Sequence, residues 1–391
     1  MKYWRGYLVA GILAVVTFAL VQFAKAHSIL VDMIYPYVTR LIITSMADWT
    51  GGMGFCLWQA LVIGMVVLGI ASVILMIILR WNPVQWFGWI LAVISCFTML
   101  HTVLYGLNEY ASPLADDVRL EITDYTVSEL NEATVFFRDK ANALATEFDR
   151  DKKGRPQLGS FEELAQQAGE GYDALTYDKA ISVFAGSTVP VKKLGWSGFY
   201  TVRRQSGVTF PLTGEAAVNP DVPQCALPFS MCKEMAHRMS IYSGADAGFA
   251  AFLACVENTS PAFQYSAYLS AYRYCYAALS SIPTSTAQAC AKQTDAGVNA
   301  QMRQDLEDYD DFFGDTKLSA NGRVTNDTDA TGVETEESMI TFSEYSDIAD
   351  IFASWYIQNY ILPEHREEEA PFNPLDKNQV DISGIREAVT P

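Results

Sequence analysis

Residues 7–24, 55–79 and 84–106 contain no Asp, Glu, Lys or Arg. No other feature limits the fold as strongly. A helix needs roughly 17–25 consecutive apolar residues to cross a bilayer, and a run such as FCLWQALVIGMVVLGIASVILMIIL is apolar on every side. All three runs are expected to be transmembrane helices. The first is read as a retained anchor, because two further spans follow it. Lys2 and Arg5 precede the first span and Arg80 lies in the tight turn between the second and third, against Lys25 and Arg40 on the opposite side. The positive-inside rule then places the first group in the cytoplasm and everything after residue 106 outside it. Trp4, Trp81, Trp86 and Trp89 near span ends fit interfacial anchoring. The segment 28–47 is a candidate helix lying along the outer membrane surface. The expected organisation is a membrane region, 1–106, followed by an extracytoplasmic domain, 107–391.

That second part is a different material. It holds 22 of the 27 basic residues and 43 of the 45 acidic ones, a net charge of −21 against +3 for the membrane region. Such acidity argues against nucleic acid or anionic lipid as a partner of the domain, since phosphate binding is driven by Lys and Arg. Five of the seven cysteines (Cys225, Cys232, Cys255, Cys275 and Cys290) fall here, with no C-x-x-C pair. Most lie within helical apolar patterns, which favours buried thiols over disulfides, and a cysteine-only zinc site is not expected.

Local patterns predict a mainly helical domain with some strand. Thr126 and Glu129 form a capping-box candidate, and Val127, Leu130, Thr134, Phe137, Ala141, Leu144 and Phe148 follow at alternating steps of three and four. Further helices are expected over 160–185, 228–242, 246–257, 262–281 and 343–361. Residues 191–219, rich in β-branched and aromatic residues with Gly between them, predict one or two short strands. The polar, acidic stretch at about 318–338 predicts a flexible loop.

One short motif carries chemistry. Lys233-Glu234-Met235-Ala236-His237 is the zinc-protease pattern H-E-x-x-H with its first letter changed. In that pattern two His four residues apart share a helix face and hold Zn²⁺ while the Glu activates a metal-bound water. Here an ammonium stands at the first imidazole position.

The surrounding stretches SGFYTVRRQSGVTFPLTGEAAVN, MCKEMAHRM, ADAGFAAFLAC and FQYSAYLSAYRYC, together with LYGLNEY after the third span, resemble a bacterial family of membrane proteins of unknown function. That family is expected to carry three N-terminal spans and a zincin-like (gluzincin) soluble domain. The resemblance implies two His on one helix, a catalytic Glu between them and a third ligand Glu on the next helix. Carried over by position, these fall on Lys233, His237, Glu234 and Asp246, and the family's Asn falls on Gly248. The chain therefore departs from the pattern at the first ligand, at the third and at a neighbour. Glu215, in the Thr-Gly-Glu stretch, is a further cleft candidate.

A catalytic zinc site usually keeps three protein ligands plus water. Lys, with a reference pKa of about 10.4, offers no lone pair at neutral pH. The expectation is a non-catalytic binding or scaffolding pseudoenzyme of the membrane, with Lys233 standing in for the metal beside Glu234 and Asp246. Its partners would be the bilayer and an extracytoplasmic peptide or protein, with no cofactor. The alternative is an active Zn²⁺-dependent peptidase in which Glu234 is the base and His237 and Asp246 are ligands.

Overall fold

The structure, a computed structural model, describes residues 4–314, 323–325, 339–341 and 348–362. It opens with α1 (Arg5–Ala26), α2 (Ser28–Gly51), α3 (Leu57–Ile78) and α4 (Pro83–Leu104), each long and apolar enough to cross a membrane. Four helices meet that criterion where three are expected. The addition is α2, which a search for uncharged runs passes over because Asp32, Arg40 and Asp48 interrupt it.

The polar residues of α2 are directed at the rest of the protein. Asp32 Oδ1 accepts from Ser112 N at 3.0 Å, and Thr39 Oγ1 lies 3.1 Å from Ser240 Oγ. Ser187 Oγ donates to Asp48 Oδ1 at 2.6 Å, and Thr50 Oγ1 donates to Thr213 O at 3.1 Å. Other sides of the helix expose Ile29, Met33, Ile34, Tyr37, Leu41 and Trp49. Both ends of α2 thus touch the same body.

A 3₁₀ turn (Gly106–Tyr110) and α5 (Leu114–Asp117) lead into that body. Its helices are α6 (Val127–Ala145), α7 (Phe161–Gln167), α8 (Glu170–Asp173), α9 (Ser197–Val202), α10 (Leu227–Arg238), α11 (Gly244–Glu257), α12 (Pro261–Ser281), α13 (Ser285–Ala296), α14 (Ala300–Phe313) and α15 (Ile348–Tyr356). The strands are β1 (Tyr125–Thr126), β2 (Lys192–Lys193), β3 (Gly207–Phe210), β4 (Glu215–Val218), β5 (Arg323–Thr325) and β6 (Met339–Thr341). One small sheet runs β1-β6-β5 and the other β2-β4-β3. In the latter, β3 pairs antiparallel with β4, Gly207 opposite Val218 and Phe210 opposite Glu215, while β2 joins β4 in parallel. The stretch 191–219 therefore holds three short strands and a helix. The loop expected at about 318–338 lies, apart from β5, outside the described residues, as does the tail beyond residue 362.

The capping box at Thr126 forms: Glu129 N donates to Thr126 Oγ1 at 3.1 Å and Thr126 N to Glu129 Oε2 at 2.7 Å. It starts α6 in the register that buries Leu130, Thr134, Phe137 and Ala141, the stripe that packs along α12. Aromatic edges lock α15 onto the same core, with Phe252 5.1 Å from Phe352 and 4.9 Å from Trp355 between ring centroids. Gly248 of α11 makes room for α15, since a Cβ there would stand 2.4 Å from Ile348 Cδ1. Cys225, Cys232, Cys255 and Cys275 are buried.

Candidate functional site

The motif lies on α10, a helix begun with Pro228 in its first turn, where the missing N–H costs nothing. Lys233 and His237, four residues apart, share a face. Glu234 projects toward the β2-β4-β3 sheet and is buried. The Thr209 hydroxyl of β3 lies 2.8 Å from both Glu234 Oε2 and the Glu234 carbonyl oxygen, so strand and helix are joined at the motif's acid. Gly207, two residues earlier on β3, covers the same side chain; a Cβ there would stand 2.5 Å from Glu234 Cγ. Only glycine lets the strand approach so closely. Burial pushes the Glu234 carboxyl up to about 7, against the Thr209 bond and the Lys233 ammonium, which lower it.

His237 Nδ1 lies 2.9 Å from Ile241 O and 3.2 Å from the Tyr105 hydroxyl. Donation from Nδ1–H to the carbonyl leaves Nε2 with its lone pair, the disposition found in metal-ligating histidines. Burial pushes the imidazole down to about 4; the neighbouring Lys233 charge adds to this, and the Ile241 bond opposes it. The ring is therefore neutral over the physiological range. Among the described residues Lys233 makes no ion pair within 4.0 Å. Its charge reaches Glu234 and His237 through space only.

The other two candidates lie elsewhere. Asp246, in the first turn of α11, is engaged with the helix cap: its N–H donates to Ser243 Oγ at 2.9 Å, and that hydroxyl donates to Asp246 Oδ2 at 2.8 Å. It lines a cavity of about 490 Å³ whose walls include Asp32, Arg40, Asn108, Asp117 and Tyr242, but neither Glu234 nor His237. Burial, followed by the nearby Asp32 charge, raises the Asp117 carboxyl in that cavity. Glu215 is fully buried under the start of α3. It accepts from Leu57 N at 2.7 Å and Trp58 N at 2.8 Å, from Thr213 Oγ1 at 2.8 Å and from Lys192 Nζ at 2.7 Å. The same Lys192 Nζ donates to Thr50 O and Phe55 O, each at 2.9 Å. Glu215 is thus an N-terminal cap for a membrane helix supplied by a distant strand.

Among the described residues no group of three or more His, Cys, Asp and Glu is gathered closely enough to hold a metal ion. One imidazole is set as a ligand would be, one carboxylate caps a helix in another cavity, and an ammonium fills the remaining position. These donors do not fit a zinc site.

Residue 31 to residue 328 match a family described as proteins of unknown function, DUF3810. The chain belongs to the DUF3810 family. No curated protein and no solved structure matches it. The DUF3810 match begins within α2 and takes in α3, α4 and the body as far as α14 and β5, so α3, α4 and the domain that carries the motif belong to one family unit.

Sequence reasoning passed over the residues that give this DUF3810 protein its local order. Arg238, directly after the motif histidine, is buried and donates from Nη2 to Ser187 O at 2.8 Å and Val189 O at 2.6 Å. Tyr105, Gly207 and Thr209 come from 132, 27 and 25 residues before their partners on α10. No local period in a sequence reports contacts over such separations.

Proposed function

We propose that the chain is a membrane-anchored, metallopeptidase-like binding protein that performs no hydrolysis. The observation that carries this reading is the state of the motif helix. Lys233 holds an ammonium where an imidazole lone pair would be needed, and Asp246 is engaged in capping α11 at a different cavity. Glu234 is closed under β3 by Thr209 and Gly207. What remains is a zincin-like arrangement of helix under strand, used as a scaffold. β3 is an edge strand of its sheet, and edge strands accept extended peptides by backbone pairing. An extracytoplasmic peptide or protein segment is the partner this edge suits.

The domain is held at the membrane by three crossings, α1, α3 and α4, with α2 lying along the surface. Supporting this, Asp32 near the start of α2 and Thr50 near its end both bond to the body that follows α4. The body is then extracytoplasmic, by the basic flanks at Lys2, Arg5 and Arg80.

A working metal-dependent peptidase is the second reading. Its support is the Glu234 carboxyl near neutrality, the range suited to a general base, together with the free Nε2 of His237. Metal analysis of the purified full chain separates the two. Substoichiometric zinc is expected in the natural protein, with zinc uptake increased by Lys233→His, which places a second imidazole on the His237 face, and not increased further by adding Asp246→Glu, whose carboxylate lies at a different cavity. Stoichiometric zinc in the natural protein, abolished by His237→Ala, would overturn the binding-protein reading and favour the enzyme.

A further inference from the structure

The acidic charge of the body is not evenly spread. From Lys179 to Gly214 there is no Asp or Glu; Lys179, Lys192 and Lys193 of that stretch pair with Glu257, Glu215 and Glu162, and Arg204 reaches Phe313 O, which leaves Arg203 as its exposed cation beside α9. At its centre is α9, a short helix with an apolar outer side, Phe199 58% exposed and Val202 85%, directly preceded by Trp196 at 51%. Its inner side is fixed, with Tyr200 and Leu194 packed against Cys56 and Trp58. The Arg203 guanidinium stacks over the Phe199 ring at 5.4 Å.

Its position is set by α3. Gln59, in the first turn of that helix, donates from Nε2 to Gly195 O and accepts at Oε1 from Gly195 N, both at 3.0 Å. Trp196 follows immediately. The surface of α3 beyond this point is exposed and apolar, beginning with Leu61 and Ile63. Trp49 and Phe55, 65% and 57% exposed, flank the same point from the preceding segment. Exposed aromatics therefore surround the first turns of a membrane-length helix. Two come from the chain just before it and two from α9 and the residue that precedes it, about 140 residues later. Aromatic residues collect at the membrane–water boundary because their rings carry an apolar body and tolerate a wet edge. Basic residues beside them are attracted to anionic lipid headgroups.

We propose that α9 is a membrane-inserted anchor of the body: Trp196, Phe199 and Val202 enter the headgroup–acyl boundary of the leaflet in which α3 begins, with Arg203 at the lipid phosphates. The occupant of this apolar surface is lipid. Continuity with the apolar surface of α3, and the Arg203 guanidinium held over the exposed Phe199 ring, select lipid over a second copy of the chain. The proposal is independent of what the motif helix does.

The test uses the full chain reconstituted in vesicles of phosphatidylethanolamine and phosphatidylglycerol, with a photo-crosslinking amino acid placed at Phe199, at Trp49, or at Asp139 on α6 as a control. Illumination should attach phospholipid at positions 199 and 49 and not at 139, detected as a lipid mass on the corresponding peptide. Adducts at 199 to a second copy of the chain, or no lipid adduct there while position 49 gives one, would overturn the proposal. Phe199 meets the inner side of α9 only through an edge contact with Tyr200, and circular dichroism identical to that of the natural protein is the check on folding.

Discussion

Glu234 and His237, one helical turn apart, are both driven toward their neutral forms by the same burial, and their contributions to stability run in opposite directions with pH. The carboxyl, raised from 4.5 to about 7, favours the folded state fully below its unfolded value; that contribution is lost as pH rises from 4.5 through 7. The imidazole, lowered from 6.5 to about 4, contributes fully above 6.5, and that contribution is lost as pH falls through 4. Each displacement is worth on the order of 3 kcal/mol for a buried group. Glu234→Gln keeps an acceptor for Thr209 and removes the ionisation. It should raise the melting temperature in detergent at about pH 8 and leave it nearly unchanged at about pH 4. A drop at the higher pH would mean that the folded protein holds Glu234 ionised. The residues of the motif were legible because five adjacent letters on one helix define them. Their surroundings were not: the hydroxyl on Glu234 and the phenol on His237 come from other elements, and Glu215 reads as a cleft acid until its partners are seen.

Among the elements, the first turn of α3 is the best defined junction. Glu215 accepts from two of the N–H groups that open the helix, Leu57 and Trp58, and neutralises Lys192, whose ammonium also closes the end of α2. Glu215→Ala leaves a largely buried ammonium unpaired and should cost about 3–5 kcal/mol, read as a lower melting temperature and faster proteolysis of the 51–56 connection. Glu215→Gln, which still accepts from the helix, should cost less. Equal, negligible losses for both would remove the capping role. Element by element, the strongly periodic helices were readable. The capping box at Thr126 and the stripe from Leu130 to Ala141 appear where the sequence puts them. The segments 285–296 and 300–313 were passed over although each has its cap, Thr284 and Asn299, because their polar, acidic faces mask a narrow apolar stripe. The residues of α9 predict strand, since Phe, Tyr, Thr and Val dominate it, and the contacts to Cys56 and Trp58 that hold it as a helix are tertiary.

For the molecule as a whole, the number of crossings decides where the body lies. With α1, α3 and α4 crossing, positions 4 and 152 fall on opposite sides of the membrane; if α2 crosses too, they fall on the same side. Cysteines introduced at Trp4 and Lys152, probed with an impermeant maleimide before and after permeabilisation, should give opposite protection. Matching protection would restore α2 as a span. The attachment of α3 also has a mechanical side. Along its 22 residues only Trp58 and Gln59 are buried, both in its first turn, and a single bond from Trp86 Nε1 to Ser72 Oγ ties it lower down. A rod gripped at one end and bathed in lipid along the rest acts as a lever. When the bilayer thins or thickens, a helix of fixed length answers by tilting, and here the resulting torque falls on one carboxylate and two peptide N–H groups at the base. From there it passes directly into β4, the strand that flanks the motif helix.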